Sequence, residues 1–475
     1  MTEDQDRLGA IDWSALQSRL QGVVVRPGDE RMVLAGKHFA AGKALAFPRA
    51  LLRCEGLSDV RASLEFLRLH QIPFSVRSGG HCFADLSSSA SAIVDLSEMN
   101  RIEHGDASVR IQPGICAADL SRALAAHGHV LPTGGCPWVA LGGLSLAGGF
   151  GFLGRRYGLT TDQVESLQVV TADGRVLEAS TDSNPELFWA LRGAGTAGLG
   201  IVTGITLRSY PLNGLTVCRG VWPLHEAVGL IDRWQQWAPD ASQDINLELG
   251  LYGPDDPEDA GHIELFGIVL GNPVQTTTHL TEVSRFLGAL AGNLHTWSLA
   301  ASAAAGYLVG LLSHETAKAW QPSRPYQQTG YQFTRSDFFE GHLGIDAIRE
   351  CVSRFQDDRR YPEFRELEIV PWGGAYTRKN AAACFLHRTP RMLIRHTVMV
   401  GARSTEDLRN HARQWVDASQ ATLSRHASGH VYQGYADLRL DNWAQAYYGD
   451  TYPRLLEIKR QYDPEHAFRH AQSIR

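Results

Sequence analysis

Two glycine clusters in the first third of the chain each carry a side chain that can act as a nucleophile. His81 ends the run 77–81 (RSGGH), and Cys136 lies in the glycine-rich segment 134–151. Consecutive glycines remove the side-chain wall, so that backbone N–H groups can approach a bulky anion such as a diphosphate. The two segments therefore combine an anion-binding backbone with an imidazole and a thiol.

Both nucleophiles also have a simpler explanation. An isolated histidine is more often a turn residue, and an isolated cysteine is more often a small buried apolar side chain. Here a buried-looking strand and Arg-Ser-Gly-Gly precede His81, and Cys136 lies in an exposed turn between Gly135 and Pro137. These surroundings favour chemical roles, because a thiol in an exposed turn can react as a thiolate. Cys82, next to His81, is the competing thiol.

Short strands and helices must position these segments. Apolar runs bounded by Gly and Pro predict a helix at 115–127 and strands at 72–76, 91–96, 108–112 and 164–170. Asp173-Gly174 predicts a hairpin turn, and Asn184-Pro185 opens a further helix with Asn184 as its cap. This order predicts an α+β organisation with sequence-local hairpins rather than a regular βαβ repeat.

The pattern of apolar runs changes after about residue 211. Apolar runs predict helices at 276–290 and 404–424 and strands at 247–252, 262–270, 363–372 and 391–400. We therefore expect a second domain with an antiparallel sheet and helices on one side. A chain of 475 residues is also too long for one core. The predicted parts are 1–210, 211–430 and 431–475.

Composition narrows the class of protein. The chain is 44% hydrophobic and 20% charged, has a formal net charge of −6, and shows no basic run that would bind nucleic acid. Residues 1–13 lack the apolar core of a secretory signal, and no apolar run of about 18 residues indicates a membrane span. Seven scattered cysteines without CxxC spacing indicate neither a disulfide framework nor a zinc site. We expect a soluble cytoplasmic protein that binds neither nucleic acid nor a membrane; its oligomeric state stays open.

The sequence contains partial motifs for a nicotinamide cofactor and for a metal ion, but the residues around each motif argue against both sites. Residues 193–198 (GAGTAG) match GxGxxG, but a dinucleotide fingerprint needs a strand before it and a helix after it. Here a predicted helix, 185–191, precedes the motif and a predicted strand, 200–207, follows it, so no helix N-terminus meets a pyrophosphate. No metal site is predicted, because His127-Gly-His129 offers two ligands and His314-Glu315 lacks the second histidine of a zincin.

The two glycine clusters resemble those of the vanillyl-alcohol-oxidase type of flavoprotein, specifically the berberine-bridge-enzyme-like oxidases. In that group a His in RSGGH bonds the C8-methyl of FAD, and a Cys in a GxCxxVxxGG stretch bonds flavin C6. The resemblance implies covalent FAD on His81 and Cys136. Cys82 is less suited, since its neighbour His81 already holds C8. Residues 25–205 and 431–473 resemble the family most, which implies a two-part FAD-binding domain, with 431–475 returning to it, and a separate substrate domain.

The resemblance also implies which other residues surround the FAD. Residues 192–203 resemble the family's RGxGxxGIVT stretch, whose strand backbone contacts the flavin ring. Two covalent bonds are expected to make the flavin a stronger oxidant and to fix it while the substrate face stays open. The implied cofactor-binding residues are Arg77, Ser78, Gly79, Gly80, Ser87, Thr133, Gly142, Gly143, Gly148, Gly149, Phe150, Gly151, Tyr157, Gly158, Asp162, Gly200, Ile201, Val202 and Tyr448.

Tyrosines and glutamates are the candidates for proton transfer. Residues 432–435 (YQGY) resemble the family's YxNY, in which a Tyr, sometimes helped by an acid, removes the substrate proton; Gly434 replaces the Asn. Tyr435 is the preferred base and Tyr432 a positioning group. A free Tyr titrates near ~10, so a cation or the flavin must lower its pKa. Glu366 and Glu368, at alternate positions of a predicted strand, are either cavity-facing partners or solvent-exposed carboxylates.

These residues combine into one expected function. Val139 stands three residues after Cys136, where a small Val in this family is associated with access of dioxygen to flavin C4a; otherwise it is a packed β-branched residue. We expect an oxidase that transfers hydride from a hydroxyl-bearing carbon, or a ring C–N or C–H centre, of a natural-product-type molecule to flavin N5, with dioxygen reduced to H₂O₂. The alternatives are an amine or oligosaccharide oxidase of the same fold, and a flavin-binding module without catalysis.

Overall fold

Three main sheets carry the fold. The structure is a computed structural model that describes residues 11–36, 47–310 and 330–475. Sheets of four and five strands form the part that contains both glycine clusters, and a seven-stranded sheet follows in the chain. Helices and mostly antiparallel strands mix without a regular repeat, which confirms the α+β class expected from the sequence.

The first sheet contains parallel neighbours. Its strands are β1 (Val23–Val25), β2 (Ala50–Arg53), β3 (Phe74–Arg77) and β4 (Ala92–Asp95), in the order β1-β2-β4-β3. β4 runs parallel to both β2 and β3, because the helix Leu57–Leu69 crosses over between those two strands. The prediction of sequence-local hairpins is therefore wrong for this sheet.

The second sheet is antiparallel and follows the predicted hairpins more closely. Its five strands are β5 (Ile102–His104), β6 (Ser108–Ile111), β8 (Val164–Val170), β9 (Val176–Ser180) and β10 (Ile201–Arg208), in the spatial order β5-β6-β10-β8-β9. A separate two-stranded sheet pairs β7 (His129–Val130) with β11 (Tyr210–Pro211). The predicted turn between β8 and β9 is confirmed, and Gly174 there has φ +82°. Helices Ala117–Ala126, Leu141–Ala147 and Pro185–Ala194 share an apolar core with this sheet.

One predicted helix cap is wrong in detail. Asn184 does precede the helix Pro185–Ala194, but its φ is +48° and its side chain does not cap the helix. The Asn184 Nδ2 instead donates to the Glu178 carbonyl at 2.8 Å. The side chain thus fastens the helix start to β9, and Pro185 supplies the preset first turn.

The seven-stranded sheet is antiparallel throughout, as predicted. Helices Ala227–Trp237, Pro273–Leu287, Ile345–Gln356 and Glu406–Ser424 pack on one face of it. The sequence prediction missed the strands at 215–223, 294–299 and 330–339 and two of these helices, 227–237 and 345–356. Its strands are β12 (Leu215–Pro223), β13 (Ile245–Gly253), β14 (His262–Val269), β15 (Leu294–Leu299), β16 (Gly330–Phe339), β17 (Phe364–Pro371) and β18 (Met392–Gly401). Across the sheet they lie in the order β15-β12-β14-β13-β17-β18-β16.

Alternation along these strands separates an apolar face from a charged one. Leu249 of β13 and Leu367 of β17 contribute to the core beneath the helices. Because side chains alternate along a strand, Glu248, Glu366 and Glu368 lie on the opposite face. That face is turned toward the glycine clusters, and the helix Ala301–Leu308 packs on part of it against Val217 and Ile268.

The C-terminal segment packs against the second sheet and its helices. Helices Trp443–Tyr448 and Tyr452–Tyr462 contribute to the same apolar core as β8 and the helix Pro185–Ala194. The ammonium of Lys459, whose side chain is 1% exposed, donates to the Gly198 carbonyl, to the Phe468 carbonyl and to the Asp463 carboxylate. This buried ion pair ties the tail to the loop before β10. The domain boundaries at 210 and 430 stay predictions.

No helix within residues 11–36, 47–310 and 330–475 is long and apolar enough to cross a bilayer. Among those same residues no group of three or more His, Cys, Asp or Glu side chains could hold a metal ion. His314 and Glu315 lie outside the described residues.

Replacing Lys459 by Ala should destabilise the protein strongly. The change leaves the Asp463 carboxylate buried without its cation, and breaking such a pair costs about 3–5 kcal/mol. Thermal unfolding of the purified protein measures the effect. Arg349→Ala is the matched control, since the Arg349–Asp346 pair is 62% and 90% exposed and should contribute little. Equal shifts in the two variants would contradict a structural role for the buried pair.

Candidate active site

A cavity of about 690 Å³ lies between the glycine clusters and the charged face of the seven-stranded sheet. Its walls come from residues 74–87, 134–152 and 195–202, from strands β13, β14, β17 and β18, and from the C-terminal segment. Both nucleophiles and both tyrosines of the YQGY motif therefore face one space.

The glycine clusters form a cradle without room for side chains. A Cβ at Gly79 would lie 2.6 Å from the Ala140 Cβ, and one at Gly142 would lie 2.4 Å from the Ser78 Oγ. The Ser87 Oγ is buried at the cavity wall and has no hydrogen-bond partner among the described residues. A backbone cradle with an unsatisfied hydroxyl fits the phosphate-bearing cofactor that the glycine clusters predict.

His81 and Cys136 lie side by side on this wall, with the Cys136 Sγ 3.3 Å from the His81 Nε2. Burial lowers the pKa of His81 to about 4, so its imidazole is neutral at physiological pH. Burial raises the pKa of the Cys136 thiol, and the backbone N–H groups of residues 138 and 139 partly offset this. The competing thiol, Cys82, also lines the cavity, and burial raises its pKa too.

The two tyrosines of the YQGY motif have different surroundings. Tyr432 is 3% exposed, and its hydroxyl accepts a hydrogen bond from the Gly149 N–H at 2.8 Å. Tyr435 stacks on Phe83 with ring centroids 5.1 Å apart. Burial raises the pKa of Tyr432 to about 12 and that of Tyr435 well above its ordinary value. Tyr432 is thus fastened to the glycine-rich wall, whereas Tyr435 lies toward the charged sheet.

Gly434, where the motif lacks the family's asparagine, is required by this packing. A Cβ at Gly434 would lie 2.4 Å from the Tyr432 ring. Gln433 supplies the hydrogen bonds: its Nε2 donates to the Gly193 carbonyl at 3.0 Å, and its Oε1 lies 3.0 Å from the His387 Nε2. The motif is therefore held by the residue before the glycine.

A buried guanidinium links the two glutamates predicted from the sequence. The Arg395 Nε lies 2.9 Å from the Glu368 Oε2, and the Arg395 Nη2 lies 3.1 Å from the Glu366 Oε2. Both glutamate side chains are 16% exposed and line the cavity, so they are not solvent-exposed carboxylates. Arg395 also lies 5.3 Å from the centroid of the Tyr435 ring and opposes the effect of burial on the Tyr435 pKa. Arg395 is thus a cation beside the tyrosine that the sequence predicts as the base.

Two family models match the two parts of the chain that build this wall. Residues 48–180 match the model described as FAD binding domain, which includes His81 and Cys136. Residues 431–475 match the model described as berberine and berberine like, which includes the YQGY motif. The chain therefore carries both domains that characterise the berberine bridge enzyme-like FAD oxidases. FAD is therefore the cofactor of this cradle, and the resemblance noted in the sequence is confirmed.

Curated relatives that align with nearly the whole chain are named for different substrates. The chain is 28% identical to (R)-6-hydroxynicotine oxidase of Paenarthrobacter nicotinovorans, over 96% of this chain and 97% of the relative. It is 26% identical to a carbohydrate oxidase of Microdochium nivale, over 90% of this chain and 88% of the relative. Its fold is similar to that of BBE-like 1 from Physcomitrella patens, with a TM-score of 0.85 at 22% identity and coverage of 98% and 99%.

Most residues that the sequence assigned to FAD or to catalysis line this one cavity. Their roles stay predictions, but their positions are now defined. The assigned residues that line the cavity are Ser78, Gly79, Gly80, His81, Ser87, Cys136, Val139, Gly142, Gly143, Phe150, Gly151, Gly200, Ile201, Val202, Glu366, Glu368, Tyr432, Tyr435 and Tyr448.

Seven assigned cofactor residues lie behind the cavity wall instead. The Arg77 Nη1 donates to the Ala35 carbonyl at 2.7 Å, and Asp162 pairs with Arg388 at 2.6 Å. Tyr157 stacks on the ring at position 210, with centroids 4.0 Å apart. The other four are Thr133, Gly148, Gly149 and Gly158, of which the three glycines have φ values of +133°, +78° and +97°. These seven support the wall through packing and hydrogen bonds.

The sequence prediction missed three charged residues and one tyrosine on the sheet. Glu248, Tyr252, Glu264 and Arg395 line the cavity from β13, β14 and β18. Each lies in an otherwise apolar strand, out of phase with its leucines or isoleucines, and this alternation was the signal that could have identified them. Residues 195–198, set aside as a false dinucleotide motif, also line the cavity, and the predicted helix before them and strand after them are confirmed.

Proposed function

We propose that this chain is an FAD-dependent oxidase whose flavin is covalently bonded to both His81 and Cys136. Its proposed substrate is a hydroxyl, or a ring C–N or C–H centre, of a natural-product-type molecule in the cytoplasm, and dioxygen is the electron acceptor. For an alcohol the balance is R₂CH–OH + O₂ → R₂C=O + H₂O₂. The observation that carries the proposal is the pair of nucleophiles, 3.3 Å apart, in the same cavity as Tyr435.

FAD, when bound, supplies the two-electron oxidant that accepts hydride from the substrate carbon and returns the electrons to dioxygen. His81 is suited to hold it because its imidazole is neutral and nucleophilic. Cys136 adds a second point of attachment on the same wall. Attachment at two points fixes the cofactor while the charged sheet opposite remains free to bind a large substrate.

Tyr435 is the group that we propose takes the substrate's hydroxyl proton. Burial keeps its pKa high, so the phenol is protonated at neutral pH unless the Arg395 guanidinium and the bound reactants favour the phenolate. Glu368 is the second candidate for the base. Burial raises the pKa of that carboxyl as well, although the paired guanidinium offsets part of the effect.

An amine or an oligosaccharide is the alternative substrate class. The relatives named for 6-hydroxynicotine and for carbohydrates align with 96% and 90% of this chain. These alignments support an amine and an oligosaccharide as alternative substrates. The carboxylates on the sheet can accept hydrogen bonds from sugar hydroxyls as well as from amines. A flavin-binding module without catalysis is not retained, because the chain belongs to an oxidase family and keeps both tyrosines of the motif.

Removing the nucleophiles singly and together should reveal the two bonds. After acid precipitation the wild type, His81→Ala and Cys136→Ala should each retain flavin in the pellet, and the double variant should release it. Peptide masses should show the remaining bond in each single variant. Cys82→Ala is the control and should keep both bonds. Release of flavin from the wild type would rule out covalent attachment.

Tyr435→Phe should slow flavin reduction about 10²–10⁴-fold, because it deletes the proposed base and keeps the ring. Tyr432→Phe should cost less, since that hydroxyl is occupied by the Gly149 N–H. Stopped-flow reduction at saturating substrate measures both rates. In the wild type the rate should rise with pH through the alkaline range, because burial raises the pKa of Tyr435. If Tyr435→Phe reduces the flavin at the wild-type rate, and that rate already reaches its plateau at acidic pH, the base is Glu366 or Glu368 instead.

Val139→Leu should slow reoxidation by dioxygen and leave flavin reduction unchanged. Val139 lines the cavity three residues after Cys136, so a larger side chain there narrows the path to the flavin. Double-mixing stopped-flow separates the two half-reactions, and Val139→Ala, which removes bulk, is the control that should reoxidise at the wild-type rate or faster. A reduced wild-type flavin that persists in air would make the enzyme a dehydrogenase.

A further inference from the structure

The charged face of the sheet carries more carboxylates than guanidinium groups. Arg395 pairs with Glu366 and Glu368. The Arg219 Nε donates to the Glu264 Oε1 at 2.7 Å. Among the described residues four glutamates line the cavity, and the two arginines pair with three of them: Glu264, Glu366 and Glu368.

Glu248, the fourth, is unpaired. Its side chain lines the cavity and the residue is 5% exposed, yet it has no hydrogen-bond or ion-pair partner among the described residues. A buried carboxylate without a partner is costly, because it has lost its hydration and gained nothing in return. Burial and the negative charge of Glu368 raise the pKa of this carboxyl, and Arg395, which already pairs with two glutamates, offsets only part of the rise. Among the described residues the Glu248 carboxyl therefore has no cation of its own.

The surroundings of Glu248 favour an organic cation. Its cross-strand neighbour in the β13–β14 register is Phe266, which also lines the cavity, and Phe152 of the glycine-rich wall packs edge-on against Phe266 with ring centroids 6.2 Å apart. Aromatic rings attract an ammonium group through the negative charge of their faces. A neutral hydroxyl could donate one hydrogen bond to the carboxylate but would leave its charge uncompensated in a largely apolar site.

We propose that the Glu248 carboxylate binds a protonated amine on the substrate, as a recognition group distinct from the carbon that is oxidised. This inference rests on the proposed function, since it names the substrate class of the same cavity. The ammonium supplies both the charge and the N–H donors that the carboxylate lacks. Glu248 thus selects the substrate and takes no part in hydride or proton transfer.

Matched amines and alcohols test the inference on the flavin-loaded enzyme. Tyramine is compared with tyrosol, and tryptamine with tryptophol, by anaerobic calorimetric titration at neutral pH. The amines should bind more tightly than the alcohols. Glu248→Gln keeps the shape and removes the charge, so it should weaken amine binding about 10- to 100-fold and leave alcohol binding unchanged. Glu264→Gln is the control within the same cavity and should retain the preference for amines.

Several outcomes would overturn the assignment. These are equal binding of amine and alcohol to the wild type, no binding of either amine, equal losses in Glu248→Gln and Glu264→Gln, or a loss in Glu248→Gln that is the same for alcohols. The comparison of wild-type affinities needs no variant, so it stands even if Glu248→Gln fails to fold. Flavin content is measured in the same samples: a yellow enzyme that ignores amines refutes this inference alone, and a colourless protein refutes the proposed function.

Discussion

The turn at residues 148–151 is in direct contact with side chains from three other parts of the chain, and the cavity depends on that contact. Tyr432, from the C-terminal segment, accepts a hydrogen bond from the Gly149 N–H. Tyr376 bonds both the N–H and the carbonyl of Gly151, and Asn246 of β13 donates to the Gly151 carbonyl at 3.3 Å. A Cβ at Gly148 would lie 2.8 Å from the Phe385 ring and 3.0 Å from the Tyr432 ring, and one at Gly149 would lie 2.3 Å from the Thr160 Oγ1. These glycines therefore allow the turn to pack closely against its neighbours at the edge of the cavity.

Electrostatics on the sheet side follow from that enclosure. Burial disfavours every charge in the cavity, so each ionised group needs a partner from within it. Arg395 satisfies this requirement for two carboxylates at once, and their combined field raises its own pKa. The same guanidinium favours the phenolate of Tyr435, but burial outweighs it, and the Tyr435 pKa remains high. The chemistry of the tyrosine thus depends on the charge state of a cluster rather than on the phenol alone.

Local chemistry made the FAD wall of the site predictable from the sequence, whereas the sheet wall was predicted only at Glu366 and Glu368. His81, Cys136 and the glycines beside them are close in sequence to the loops they build, so motif and spacing were enough. The parallel pairing of β2 with β4 was missed because it depends on where a crossover helix packs. Gly148 and Gly149 were assigned to the cofactor, yet tertiary packing against Phe385, Tyr432 and Thr160 explains them. Arg395 and Glu248 lie on separate strands of the sheet, and strand register was not readable from composition.

The two walls also differ in how they can change. The FAD side is built from backbone and tightly packed glycines, where a single Cβ meets a neighbour at less than 3 Å, as at Gly79 and Gly142. The sheet side presents side chains from rigid strands whose other face is fixed by a helical core. Substitution at Glu248 or Glu264 can therefore alter charge and shape in the cavity without moving the strands or the flavin wall. A fold divided in this way can keep one redox reaction while the substrate that reaches it varies.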